Sequence, residues 1–455
     1  MVKDPPPSTK DKDNTLFEKL NAELEPRRQK WIEEFRPTFG PPPPGLPPLR
    51  EVNHSIPLIN PDARYSSRTP KCSAALFPLL REKTHRYLKA GWWKLAHGRN
   101  ALPLLAIPKA GPELKLRTVV DARERNANTI IDSTPLPNQD LIREAVASHK
   151  YVSVIDMSDA YEQMRVVPED VGKTLFSEPL GTFVSNTLQQ GDCNGPSSWQ
   201  RLMTHVFREQ IGVTVWVYID DIYVFTNTIQ EHEVALAYVL KCLKDNKLYI
   251  SPKKFRPYAL RFNCLGHYRD EYGLQASSDK LALIRNWPTP ASYHDVQRFL
   301  GLVEYISRFL PNVSAYTTPL SGMCSNGLPF VWRNIHDKCF EMVKTIASKN
   351  LSLKPIDRTS PNPVWVVCDA CPSGCGAYYG QGEDWRTMAP AGFMSKKFTD
   401  AQRSYFMYEH EMLGVIEALR KWDDTLLGLR SIWIVTDHEA LKTFMLKAHA
   451  GPRQI

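Results

Sequence analysis

The stretch Tyr218-Ile219-Asp220-Asp221 constrains this chain more than any other. It lies inside Val213-Thr-Val-Trp-Val-Tyr-Ile-Asp-Asp-Ile-Tyr-Val-Phe-Thr226, whose two flanks are rich in β-branched and aromatic residues. Such flanks read as strands, so the two Asp fall at the tip or inner edge of a hairpin. Adjacent carboxylates between apolar strands are unfavourable unless cations neutralise them. Mg²⁺ prefers hard oxygen ligands of this kind. The bland alternative is an acidic turn, since Asp is a common turn residue. A third carboxylate in a matching context decides between the two.

Asp156 is that third carboxylate. It ends the short apolar run Tyr151-Val-Ser-Val-Ile-Asp156, which continues into Met157-Ser-Asp-Ala-Tyr161-Glu-Gln-Met-Arg. One carboxylate on a strand end and two on a hairpin can hold two Mg²⁺ ions. Two such ions stabilise the attacking and the leaving oxygen of an in-line phosphoryl displacement.

These residues in these contexts resemble the palm of reverse transcriptases. Leu105-Ala-Ile-Pro-Lys109 with Leu116-Arg117-Thr-Val-Val-Asp121-Ala-Arg123 is similar to the fingers segment. Gln189-Gln190-Gly191-Asp-Cys-Asn-Gly-Pro196-Ser-Ser-Trp-Gln-Arg-Leu-Met203 resembles the segment packed under the template. Lys253-Lys254 and Cys264-Leu-Gly-His267 resemble the later palm and primer-grip motifs. Motif order and spacing agree best with gypsy-class long-terminal-repeat retrotransposon polyproteins. The resemblance implies DNA synthesis on RNA and DNA templates, using a DNA primer, deoxynucleoside triphosphates and Mg²⁺ or Mn²⁺. Asp156, Asp220 and Asp221 would carry the metals. Lys109 and Arg117 would bind the triphosphate, Arg117 suiting forked phosphate contact. Tyr161 would lie under the sugar and exclude a ribose 2′-hydroxyl; its plainer role is an aromatic in the palm core. Gln190 and Gly191 would meet the incoming nucleotide and the template.

A second acidic set lies near the C-terminus. Asp369 follows the strand-like Pro363-Val-Trp-Val-Val-Cys368, Glu411 sits in the helical Tyr408-to-Trp422 run, and Asp437 ends Ser431-Ile-Trp-Ile-Val-Thr436. Asp, Glu and Asp on strand, helix and strand resemble a ribonuclease H fold, where they ligate Mg²⁺ for hydrolysis of RNA in an RNA–DNA hybrid. Glu411 is preferred to Glu409 because it directly precedes the apolar Met-Leu-Gly-Val run. The pattern stops short of the family's fourth acidic ligand. Weak or absent hybrid cleavage is therefore expected, with Ser431–Thr436 left as an exposed sheet edge.

The fold class expected is α+β: a right-hand polymerase of fingers, palm and thumb, then a connection and a partial ribonuclease H-like α/β domain. The boundaries expected are a disordered Pro-rich segment at 1–50, fingers and palm at 51–270, thumb and connection at 271–355, and the ribonuclease-like domain at 356–455. One short helix fits 15–35, where Leu16, Phe17, Leu20, Leu24 and Trp31 form a weak stripe. Gly40-Pro-Pro-Pro-Pro-Gly-Leu-Pro-Pro48 suits an extended linker. Further helices are expected over 73–90 and 228–246, the latter with Ile229, Val234, Leu236, Val239, Leu240 and Leu243 inward. Val296, Phe299, Leu300, Val303, Ile306, Phe309 and Leu310 read as a packed core stripe.

A length of 455 residues suits about three domains, and a hydrophobic content of 42% suffices for their cores. The formal charge of +8 is compatible with nucleic acid. No apolar run approaches the roughly twenty residues of a membrane span, and the N-terminus is no signal peptide. Nine Cys without disulfide-type spacing suggest reduced thiols and an intracellular setting. Cys368, Cys371 and Cys375 lack a clear fourth zinc ligand. His267 and His438 read as packed or surface residues. Two other functions compete with the polymerase: a catalytically dead nucleic-acid-binding remnant, and an interaction protein acting through its Pro-rich segment.

Overall fold

A computed structural model describes residues 13–437, apart from 67, 69, 110, 112, 271, 324–328 and 350; His438 lies outside them. Contacts divide the chain into two units, Met1–Ile142 with His149–Ala259, and Arg143–Ser148 with Leu260–Ile455.

The first unit contains a three-stranded antiparallel sheet. Its central strand, Asp221–Thr226, pairs with Tyr151–Asp156 on one side and Val215–Tyr218 on the other. The central strand is buried almost throughout, whereas Val215–Tyr218 alternates buried Val215 and Val217 with partly exposed Trp216 and Tyr218. Period-two alternation of this kind is what a strand with one covered face requires. Helices Gly195–Val206 and Ile229–Asp245 pack on this sheet. The second begins at a capping box, with Thr228 and Glu231 each satisfying the other's backbone N–H. Leu236, Val239, Leu240 and Leu243 are fully buried along it. Val234 is not part of that face: it is 73% exposed. His232 takes the inward place instead, bridging Ser153 Oγ (2.7 Å) and Thr226 Oγ1 (3.1 Å). A five-stranded sheet carries the fingers-like segment, in the order Trp93–Leu95, Gly181–Ser185, Phe176–Glu178, Leu102–Pro108, Leu116–Val120.

Within 13–50 the helix expected over 15–35 is present as Asp13–Glu34, in a segment otherwise expected to be disordered. Helix Asp13–Glu34 turns Leu24, Arg28 and Trp31 to one face, and Leu24 and Trp31 are each 4% exposed. Arg28 donates to the carbonyls of Pro257 (3.0 Å) and Tyr258 (2.8 Å). Arg50, beyond the proline run, donates to the carbonyls of Gln163 (2.6 Å) and Asn246 (3.0 Å). A stripe of three anchoring side chains, two apolar and one Arg, shows only weakly as periodicity. It is enough to dock a helix once hydrogen-bond acceptors face it.

In the second unit, strands Phe262–Cys264, His267–Asp270 and Gly273–Ala276 form an antiparallel sheet. Helices Ser278–Arg285, Tyr293–Tyr305, Ser314–Gly322 and Asn334–Ser348 follow. Val296, Phe299, Val303, Ile306, Phe309 and Leu310 are buried in one core with Phe340 and Val343, as the stripe requires. His267 is buried against Tyr305 and Phe309. A four-stranded sheet follows in the order Ala389–Lys397, Gly374–Gln381, Val364–Cys371, Ile432–Val435, the last pair parallel. Helix Met407–Lys421 packs on it. Among the described residues Ile432–Val435 is one edge of the sheet, Ala389–Lys397 being the other, and Trp433 on the former is 55% exposed.

Candidate active site

Asp156 and Asp221 are direct cross-strand partners, so their side chains share one face of the sheet. Asp220 stands beside them in the two-residue turn that joins Tyr218 to Asp221. Like charges opposed in this way repel, and the effect shows in their protonation. Partial loss of hydration in the cleft, then the charges of Asp156 and Asp221, push the Asp220 carboxyl up to about 6, although the residue keeps solvent access. Burial and the Asp156 charge also raise Asp221. Lys254 places its ammonium 2.8 Å from Asp156 Oδ2. That ammonium supplies part of the positive charge the carboxylates call for. All the donors here are hard oxygens, as Mg²⁺ or Mn²⁺ would require.

The turn is strained. Ile219 has φ of 53° while Asp220 is not in the left-handed region, the pattern of a type II′ hairpin turn. Glycine is the usual residue at that place; a β-branched one costs about 1–3 kcal/mol. Helix Gly195–Val206 holds it there. Gln200 Oε1 accepts from the Ile219 N–H (2.9 Å), and Gln200 Nε2 donates to the Val217 carbonyl (3.1 Å). Trp199 Nε1 donates to the Ile219 carbonyl (3.0 Å). Both side chains are essentially sealed from solvent. Trp199 and Gln200 lie within the motif at 189–203, whose sequence alone assigns them no task; the signal for Gln200 is a polar residue at the buried base of that motif. Gln200→Ala should lower the rate of the chemical step by about tenfold or more, since a turn held in a rare conformation needs its surroundings. Nucleotide KM should stay near the parent value. Steady-state kinetics would check this, and an unchanged kcat would show that the turn holds itself.

Arg117, Gln190 and Tyr161 come together around the same face. Arg117 Nε donates to Gln190 Oε1 (3.1 Å). Burial, then the Asp220 charge, pushes the Tyr161 phenol up to about 12, with Arg117 opposing. Gly191, at φ of 120°, passes so close to the end of strand Leu116–Val120 that a Cβ would lie 2.2 Å from the Val120 carbonyl oxygen. Lys109 directly follows the neighbouring strand Leu102–Pro108, is exposed, and donates its backbone N–H to the Lys115 carbonyl (2.8 Å).

In the second unit, Asp369, Glu411 and Asp437 each offer a carboxylate oxygen, all within 4.8 Å of one another. Among the described residues this is the trio of acidic side chains that could hold a metal ion in so compact an arrangement. Glu411 is buried and oriented: it accepts from the Ala370 N–H (3.1 Å) and lies 3.5 Å from Thr436 Oγ1. Glu409 instead caps its own helix, accepting from the Phe406 N–H (2.8 Å). Cys368 and Cys375 are buried in the sheet core, and burial pushes their thiols up to about 12 and about 11.

The reverse transcriptase (RNA-dependent DNA polymerase) family matches residues 107–268, and the RNase H-like domain found in reverse transcriptase matches 359–455. The Pol polyprotein of transposon gypsy from Drosophila melanogaster is 27% identical over 412 residues, covering 87% of this chain and 39% of that protein. The Pol polyprotein of transposon opus, also from Drosophila melanogaster, is 28% identical over 356 residues, covering 74% of this chain and 34% of that protein. The chain thus spans well under half the length of these relatives. Among solved structures, a foamy viral protease-reverse transcriptase in complex with double-stranded DNA superposes with a TM-score of 0.81 at 21% identity. It covers 99% of this chain and 80% of that one. The same viral protein in complex with an RNA/DNA hybrid gives a TM-score of 0.74, covering 95% and 58%. The chain thus carries a match to the reverse transcriptase family followed by a match to the RNase H-like domain found in reverse transcriptase, and over most of its length it is similar to the Pol polyproteins of transposons gypsy and opus.

Proposed function

We propose that the chain is an RNA- and DNA-directed DNA polymerase that extends a DNA primer with deoxynucleoside triphosphates. The observation that carries the reading is the carboxylate set on the sheet, Asp156 opposite Asp221 with Asp220 at the turn, facing Arg117, Gln190 and Tyr161. Asp156, Asp220 and Asp221 would hold Mg²⁺ or Mn²⁺. When bound, the ions favour deprotonation of the primer 3′-hydroxyl and stabilise the departing pyrophosphate. Arg117 binds the triphosphate through its forked guanidinium, and exposed Lys109 adds a point charge. Gln190 keeps Arg117 aimed, and Gly191 lets the backbone come close. Lys254 balances part of the charge of Asp156. The domain boundaries proposed remain 51–270 for fingers and palm, 271–355 for thumb and connection, and 356–455 for the ribonuclease-like part. No described helix is long and apolar enough to cross a membrane. An intracellular setting suits nine cysteines without disulfide-type spacing.

The test is extension of a DNA primer annealed to RNA by the purified chain, with Mg²⁺ and with a chelator. Lengthening only with the metal supports the reading; no lengthening on RNA or DNA templates would sink it. The role of Tyr161 has its own test. Tyr161→Ala should raise ribonucleotide over deoxyribonucleotide incorporation by about tenfold or more, because a ring under the sugar meets the 2′-hydroxyl and a methyl does not. The same ratio in a competition assay would leave the ring a palm-core residue.

The second carboxylate set supports a cation site for cleaving RNA in an RNA–DNA hybrid. Asp369→Asn should weaken Mn²⁺ binding there by about tenfold, since an amide replaces one charged ligand. Electron paramagnetic resonance titration reads this without reference to cleavage. Equal affinity in parent and variant would show that the trio holds no ion.

A further inference from the structure

Behind the Gln190–Gly191 loop lies a charged cluster that no part of the proposed chemistry uses. Asp192 is 8% exposed, and Arg125 and His54 are each 1% exposed. Arg125 pairs with Asp192 Oδ1 through Nη2 and donates from Nη1 to the Lys173 carbonyl (2.8 Å). His54 faces the other carboxylate oxygen at 3.2 Å, too bent for a hydrogen bond, while its Nδ1 meets Ser198 Oγ at 3.0 Å. Ser198, His54 and Asp192 have the composition of a nucleophilic triad. Their burial rules that role out, because no substrate reaches Ser198.

The cluster does have a mechanical output. Asp192 directly follows Gly191, and the loop around it is tied down on both sides. Gln190 O accepts from the Val120 N–H (2.8 Å). Asn126, next to Arg125, donates to the Gly191 carbonyl (2.8 Å) and accepts from the Cys193 N–H (3.1 Å). His54 arrives from a segment more than fifty residues before the family match begins. Its backbone is fixed on both sides, N–H to the Arg165 carbonyl (2.8 Å) and carbonyl from the Val167 N–H (2.9 Å). Burial, with the Arg125 charge adding to it, holds the His54 imidazole down at about 4, so Arg125 supplies the charge that answers Asp192 and the neutral ring packs against the pair.

We propose that His54, Arg125 and Asp192 form a buried brace that sets the Gln190–Gly191 loop and so the affinity for the incoming deoxynucleotide. They are positioning residues and touch no substrate. The inference rests on the polymerase reading. A buried charge left without its partner moves or draws in water. A loop displaced by an ångström spoils nucleotide contacts without altering the carboxylates on the sheet.

The experiment is steady-state extension by Asp192→Asn and His54→Gln beside the parent chain, with active-site titration and thermal unfolding. Asp192→Asn should raise nucleotide KM about tenfold and His54→Gln about threefold, with kcat and primer-template Kd within about twofold, the signature of lost substrate positioning. A lowered Tm with unchanged KM in both would overturn the brace and leave an ordinary core ion pair. Should Asp192→Asn not fold, His54→Gln decides alone, and an unchanged KM overturns the proposal. A parent chain that extends nothing sinks the polymerase reading and this effect together; a parent that extends beside variants of unaltered KM sinks the brace alone.

Discussion

Asp220→Asn is expected to slow primer extension by about a thousandfold or more, because a neutral amide holds a catalytic metal poorly. The same substitution should have the opposite effect on the metal-free fold. Partial desolvation and the flanking Asp156 and Asp221 charges put Asp220 at about 6, above its unfolded value. A raised carboxyl favours the native state most below its unfolded pKa. That contribution is lost as pH rises through the folded value. In chelator, the parent chain should therefore lose stability between about pH 4 and pH 6, and Asp220→Asn should lose less. Thermal unfolding against pH for the two chains reads the difference. Lost activity with a flatter pH–stability curve supports the site; a variant of full activity refutes the assignment.

Gly191→Ala is the other large effect. The added methyl would lie 2.2 Å from the Val120 carbonyl oxygen, at a backbone φ of 120°. A side chain there is strained by conformation and blocked by backbone, a combined cost of about 3 kcal/mol or more. The loop must leave its place, taking Gln190 away from Arg117. Extension should fall about a hundredfold, mostly through nucleotide KM. Gly172→Ala is the control, since no atom lies within 4 Å of its added Cβ. Equal activity of the two variants would show that the loop's close approach to Val120 is dispensable.

The sequence made the strands around Asp156 and Asp220 legible because β-branched and aromatic runs leave few other conformations open. It also made the helix after Thr228 legible, through its capping box and apolar repeat. Its inward face was misjudged at Val234 because a buried His232, satisfied by two hydroxyls, leaves no apolar signal. The trio Asp369, Glu411 and Asp437 was found residue by residue, and Glu411 was separable from Glu409 by the run that follows it. Trp199, Gln200 and the brace were not visible as such. Ser198 and His54 are 144 residues apart in sequence, and nothing periodic links them. Polar contacts of that span depend on how the backbone closes, which local composition does not encode. The docking of the helix Asp13–Glu34 was missed for a similar reason: its acceptors are the Pro257 and Tyr258 carbonyls, a whole domain later.

The central claim is that Asp156, Asp220 and Asp221 hold the metal of a polymerase centre. Replacing Mg²⁺ by Fe²⁺ and adding peroxide cuts the backbone next to a bound ion, and mapping the fragments locates it. Within the first unit, cuts should cluster at the end of strand Tyr151–Asp156 and at the Tyr218–Asp221 turn, and Asp220→Asn should abolish both. Cuts elsewhere in that unit, or cuts unchanged by the variant, would contradict the account.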